Sequence, residues 1–311
     1  MRKRLALIAA VPAVLGLLAG AVPATAADDR PVVYTTFYPT QYLTQRIGGD
    51  LIEVVNPVPG DADPIFWEPT REDLRAYQRA DLIVLNGAGF EKWVESATLP
   101  EDRVVDTAGG FEDEFIVYED AVTHSHGSVG EHSHEGLDGH TWLDPIHAKA
   151  QAEAIKGALA GRFPEHADAF EEGFRDLAAD LDGLDARLRD YQAGYDGKPL
   201  FMSHPAYNYI GRRYGWNFQN LDLDPEEMPS DETFADIRRR MEHHPAAYIL
   251  WEAEPAPEIA ERFKKELGLT SITFSPVELL SREEIDAGTD YLDVMRRNLD
   301  GIAVVFEKGA S

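Results

Sequence analysis

An α/β fold of two Rossmann-like lobes with parallel-type sheets, joined by one long helix, is what the sequence predicts, on three observations. Short runs of β-branched and apolar residues alternate with segments of helical period, both before residue 164 and after residue 196. Between them, Phe170, Phe174, Leu177, Leu181, Leu184, Leu188 and Tyr191 step by four and three residues without a miss. At 311 residues and 44% hydrophobic content, the chain suits two modest domains better than one.

The first residues carry a processing signal. Arg2, Lys3 and Arg4 form a basic start, Leu5 to Val22 is an apolar run, and Ala24-Thr25-Ala26 has the small-x-small cleavage pattern. The expected division is 1–26 signal peptide, 27–164 first lobe, 165–195 joining helix and 196–311 second lobe, with a mature protein that is exported and does not span the membrane. The 311 residues include no cysteine. Disulfides, thiolate metal sites and a lipid anchor on a cleavage-site cysteine are therefore excluded, and any metal must be held by histidine and carboxylate. The net charge of -27, which loss of Arg2, Lys3 and Arg4 makes more negative still, repels nucleic acid and attracts cations.

The elements follow in order. Pro31 to Thr36 reads as a buried strand and Tyr42 to Ile47 as a helix ended by Gly48-Gly49. Leu51 to Val58 is a second strand, and a helix carries Leu74, Tyr77 and Ala80. Asp81 to Gly87 is a third strand, followed by an expected aromatic helix with Phe90 and Trp93. Pro145 opens a helix to about Phe163, and the long helix spans 165–195. In the second set, strands at Pro199 to Ser203, Trp216 to Leu221, Ala246 to Trp251 and Ile272 to Ser275 alternate with helices. These run from Pro205 to Tyr214, from Ser230, a capping residue, to His243, from Glu258 to Leu267 and from Thr289 to Val305.

The stretch 121–140 departs from this pattern. It holds His124, His126, His132, His134 and His140, half of the chain's 10 histidines, among glycine, serine and acidic residues. The first four lie on polar chain with no apolar period and are expected to form a solvated, mobile loop whose imidazoles take Zn(II), Ni(II) or Cu(II). Three further positions point to a cleft. His140 precedes Trp142-Leu143-Asp144-Pro145 and a helix, His204 follows the strand ending at Ser203, and Glu252 ends the strand through Trp251. In α/β lobes the crevice at the carboxyl ends of strands is the usual ligand site, and one histidine per lobe suits a metal clamped between them.

Taken together, these segments resemble the zinc and manganese solute-binding proteins of bacterial ABC transporters. The resemblance is carried by VVYTTFYPTQYLTQRIGGD, PGDADPIFWEPTREDL, ADLIVLNGAGFEKWVE, GHTWLDPIHAKAQAEAI, SHPAYNYIGRRYGW, DPEEMPSDETFADI and ILWEAEPAPEIAERFKKELGL, nearly the whole mature chain. It implies a rigid joining helix, small lobe movements, and capture of a divalent metal in the periplasm for delivery to a membrane permease. Two of that family's four ligand positions fall on His140 and His204. The other two fall on Ile65 and Ser275, which cannot serve, and Glu68 and Glu252, with Asp222 and Asp224, are candidate substitutes.

The resulting expectation is a monomeric extracytoplasmic protein carrying Zn(II), with Mn(II) or another divalent metal as the alternative cargo. It binds through His140 and His204, completed by Glu68 or Glu252, and affinity falls as pH drops through about 6 to 7. Two other functions compete: a periplasmic buffer or adhesin using the histidine-rich loop, and a binder of a metal chelate walled by Ile65, Phe66 and Trp67. An enzyme is disfavoured, because H-E-x-x-H, G-x-S-x-G and nucleotide-binding glycine patterns are missing from the sequence.

Overall fold

The computed structural model describes residues 30–60, 62–118, 122–125, 131–134 and 136–306. The signal segment 1–26 and His126 lie outside the described residues. Four parallel strands form the first sheet: β1 (Val32–Thr35), β2 (Glu53–Val55), β3 (Leu82–Leu85) and β4 (Val104–Asp106), in the order β2-β1-β3-β4. Two helices serve as crossovers, α1 (Tyr38–Gly48) and α2 (Arg71–Arg79), the latter opened by a reciprocal cap between Thr70 and Asp73. The sequence pattern does not announce β4, because three residues are too few to show a period.

The aromatic segment expected as a helix is a 3-10 turn, Lys92–Ser96. Gly87, Ala88 and Gly89 all take positive φ, so the chain cannot enter a helix there. Glu91 closes the turn instead, its carboxylate accepting from the N–H groups of Asn86 (2.6 Å) and Gly87 (3.2 Å).

The histidine-rich stretch also differs from expectation. Where a structureless loop is expected, an antiparallel ladder joins β5 (Val122–Ser125) to β6 (Glu131–His134), with His124 opposite His132 and Val122 opposite His134. The pairing satisfies backbone groups along this polar stretch. The hairpin stands on a bridge between Val117 and Leu137, flanked by bonds from Tyr118 N–H to Gly136 O (2.9 Å) and Asp138 N–H to Ile116 O (2.8 Å).

Next come α3 (Pro145–Arg162) and α4 (Ala167–Gly194), whose 28 residues span about 42 Å at 1.5 Å per residue. The second lobe runs β7 (Leu200–Met202), α5 (Asn208–Tyr214), β8 (Phe218–Asn220), α6 (Asp231–Met241), β9 (Tyr248–Trp251), α7 (Pro257–Leu267), β10 (Thr270–Thr273), α8 (Arg282–Asp286) and α9 (Tyr291–Phe306). Its four parallel strands lie in the order β8-β7-β9-β10. Counted within each lobe, both sheets have the order 2-1-3-4 and the same reversal point between their first and third strands.

One hydrophobic cluster runs through both lobes, from Val33 and Ile47 past Leu177, Leu181, Leu184 and Leu188 of α4 to Leu200 and Ile302. The apolar stripe of α4 is thus buried against α1 and α3 on one side and α9 on the other. Gly173 permits this approach, since a Cβ there would lie 2.6 Å from the carbonyl oxygen of Ile47. Among the described residues, no helix is long and apolar enough to cross a membrane.

Candidate metal centre

In the second lobe, the reversal point lies between β7 and β9, and both strands end in polar residues. Ser203 continues the pairing through its N–H to Leu250 O (2.8 Å), and the chain then turns to present His204. Glu252 follows β9, its N–H donating to Ser203 Oγ (3.2 Å). Adjacent strand ends therefore place His204 Nδ1 3.2 Å from Glu252 Oε2. Burial, and then the like charges of Glu278, Asp224 and Asp63, push the Glu252 carboxyl well above the usual range, with His140 opposing.

His140 comes from the first lobe, between the base of the hairpin and α3. Asn86, at the end of β3, donates from Nδ2 to the carbonyl of Gly139 (2.9 Å). Gly139 is needed because a Cβ there would sit 2.9 Å from Phe90 Cβ. Asp138 Oδ1 accepts from the His140 backbone N–H (3.0 Å) and lies 2.8 Å from its Nδ1, while Asn208 of the second lobe donates to Asp138 Oδ2 (2.8 Å). The other ring nitrogen, Nε2, lies 3.1 Å from Glu278 Oε1. Burial alone would lower the imidazole pKa, but carboxylates on both sides override it and raise it from 6.5 to about 10. The carboxylates of Asp138 and Glu278, one at each ring nitrogen, thus favour the charged form of the imidazole.

Sequence reasoning missed Glu278. After β10 the backbone is clamped by Asn298, whose side chain accepts from Ser275 N–H (3.0 Å) and donates to Ser275 O (2.8 Å). Ser275 Oγ accepts from Val277 N–H (3.1 Å), and Val277 takes φ +61°, an unfavourable value for a β-branched residue. Trp142 of the first lobe donates from Nε1 to Pro276 O (2.7 Å). These contacts spend Ser275 on the turn and bring the carboxylate in three residues later. A lone acid within the apolar run from Val277 to Leu280 was the available signal.

Donor atoms of His140, His204 and Glu278 all lie within 4.8 Å of one another, and the two imidazole centroids are 5.7 Å apart. One donor comes from the first lobe and two from the second. The expected substitutes do not join this cluster. Glu68 is exposed on the wall of a separate cavity of about 310 Å³, beyond Trp67, which packs on Trp93 at 6.2 Å between ring centroids. Glu252 stands behind His204, and Asp224 Oδ1 accepts from Glu226 N–H (2.6 Å). Ile65 is buried beside His204 and Glu278, as its place in the motif implies. Of the loop histidines, His124, His132 and His134 lie on the hairpin strands.

The donor set is chemically that of a divalent-metal site: two imidazoles, one carboxylate, and a further carboxylate at Nδ1 of each ring to orient it. Comparison with known proteins gives the chain's family. The high-affinity zinc uptake system protein ZnuA of Bacillus subtilis is 30% identical over 287 residues, covering 88% of this chain and 87% of that protein. The zinc-binding lipoprotein AdcA of Streptococcus pneumoniae is 28% identical over 282 residues, 89% of this chain, which spans only 56% of that longer protein. Among solved structures, the metal-dependent lipoprotein YcdH of Bacillus subtilis superposes with a TM-score of 0.76 at 27% identity, over 88% of this chain and 98% of that one. The Zn(II)-bound AdcA of Streptococcus pneumoniae shares the fold, with a TM-score of 0.76 at 24% identity over 90% of this chain and 58% of that one. The family described as zinc-uptake complex component A, periplasmic (ZnuA), matches residues 33–305, and the chain belongs to that family.

Proposed function

We propose that this protein captures one Zn(II) ion between its lobes, on His140, His204 and Glu278, and delivers it to the membrane permease of an ABC importer. The observation that carries this reading is the convergence of three donors from both lobes within 4.8 Å. Imidazole and carboxylate without thiolate suit zinc, and a single carboxylate among the donors is poor in oxygen for manganese. Family membership replaces the enzyme alternative: the ion is cargo, and no bond is made or broken in it.

The residues around the site explain capture. Asp138 and Glu252 hold the two rings by Nδ1, so that Nε2 is the nitrogen turned to the metal in each. The incoming ion displaces the proton that His140 shares with Glu278, exchanging one positive charge for two between the carboxylates. The shared hydrophobic core along α4 favours small adjustments over wide hinge opening. Two relatives or neighbours are lipoproteins by name. This chain has no cysteine for such an anchor. We therefore place it free in the periplasm after signal cleavage near Ala26.

The test is calorimetric titration of the metal-stripped, tag-free protein with Zn(II), alongside a variant lacking residues 124–134 and His204→Ala. One tight site should survive the deletion, and His204→Ala should weaken it at least about tenfold, ~1.4 kcal/mol. Loss of all tight binding on deletion of the hairpin would favour a buffer built on the histidine-rich stretch.

A further inference from the structure

We infer that a metal in this cleft is held by three protein donors and keeps a fourth position, facing Ile65, for one exogenous oxygen donor, water in the resting state. The inference rests on the assignment of the metal to His140, His204 and Glu278.

Ile65 is 5% exposed and forms one wall of a cavity of about 170 Å³ whose other walls include His204, Glu252 and Glu278. His140 lies behind it, against Glu278. A water occupies about 30 Å³ of liquid, so the cavity has room for the ion and a solvent ligand. Ile65 brings to this space a branched hydrocarbon with nothing to coordinate, and Asp63 and Glu252 line it as well.

The nearby carboxylates have other work. Asp63 Oδ1 accepts from Ile65 N–H (3.0 Å), forming the turn that presents Ile65 to the cavity. Glu252 Oε2 faces His204 Nδ1 at 3.2 Å, and drawing it to the metal would release the ring that it orients. Glu68 lies exposed on another cavity. Among the described residues, the only group of three or more potential donors within reach of one ion is His140, His204 and Glu278. Zinc prefers four ligands, and three protein donors with one solvent position is a standard arrangement for it.

An open position has a consequence for transfer. A donor on the acceptor protein can bond the metal by replacing water, before any imidazole has left. The same position accepts a small anion, because the ion and Glu278 together leave a net charge of about +1 among the ligands.

The test uses the mature protein loaded with Co(II) or Zn(II), together with Ile65→His. Calorimetry first establishes a one-to-one site. Azide, added to the Co(II) form, should shift its visible spectrum saturably in the wild type and not in Ile65→His. X-ray absorption of the Zn(II) forms should count two imidazoles in the wild type and three in Ile65→His, with Zn(II) held at least about tenfold more tightly in the variant. A one-to-one site that ignores azide, or a wild-type count of three imidazoles, would overturn the inference while leaving the cleft assignment standing. The absence of any one-to-one site would overturn both. The wild-type readings decide the matter even where a buried histidine at position 65 prevents folding.

Discussion

In the first lobe, the crevice between β1 and β3 is filled from within. Thr36 Oγ1 donates to Glu91 Oε1 (2.6 Å), and Gln151 Nε2 donates to Asn86 Oδ1 (2.9 Å) and Thr107 Oγ1 (2.9 Å), all of these residues being buried. In the second lobe, the matching crevice between β7 and β9 turns His204 and Glu252 toward His140 and Glu278. Strand order is the same, yet one crevice is a structural joint and the other faces the cluster of candidate donors. The topology marks where a ligand site can be built, and the side chains at the strand ends determine whether it is. The first lobe reaches the site indirectly, its joint holding Gly139 through Asn86 so that the next residue, His140, meets the second lobe.

Mutations in the two crevices should therefore fail in different ways. The largest effect belongs to the cluster itself: His140→Ala should weaken Zn(II) binding by about 100- to 1000-fold, ~3 to 4 kcal/mol, by titration, because it removes one of the three donors and the one that the first lobe supplies. Glu278→Gln should weaken it less and leave the fold intact.

Breaking the joint should act on stability first. Asn86→Leu removes the bonds to Gly139 and Gln151 and strands buried partners, so chemical denaturation of the metal-free protein should show a loss of about 2 to 4 kcal/mol. A larger change in zinc affinity than in stability would contradict the distinction between the lobes.

The pH dependence sharpens the same contrast. The folded pKa of His140 is raised to about 10 from 6.5, so its stabilisation is full below 6.5 and lost as pH rises through about 10. Glu91 has the same sign: burial raises it from 4.5 to about 7 against the opposing bonds of Thr36, Asn86 and Gly87, and its contribution is lost as pH rises through about 7. Metal-free protein should thus lose thermal stability between about pH 5 and 10. Zinc affinity should rise up to about tenfold per pH unit over about pH 7 to 10, with close to one proton released per ion at pH 8, measured by calorimetry in buffers of different ionisation enthalpy. The window expected from unperturbed histidines, about 6 to 7, moves upward because two carboxylates grip one ring. The smallest effect is at Glu68, where Ala should change zinc affinity less than about twofold.

Particular residues show how far a sequence can be followed. The stripe from Phe170 to Tyr191 is legible because a helix buried on one side must repeat its apolar residues at a regular step, and α4 spans nearly the expected residues. His140 and His204 are legible because chain punctuation marks both as junctions ahead of a helix. Glu278 is not, since its register depends on Asn298 clamping Ser275 from α9, 23 residues away, and on Trp142 gripping Pro276 from the other lobe. Nor is the role of Glu252, where one strand end brings a carboxylate behind a histidine 48 residues earlier in the chain.

By itself, then, the sequence determined the alternation of strands and helices, the joining helix, the cysteine-free donor chemistry and one histidine in each lobe, all carried by local period, composition and punctuation. Tertiary structure alone decided the placement of Glu278 beside the two histidines, the carboxylates at both rings, the upward shift of the His140 pKa and the position of Ile65 on the cavity wall. Those depend on distances between segments far apart in the chain, and such distances exist only once both sheets have packed along α4.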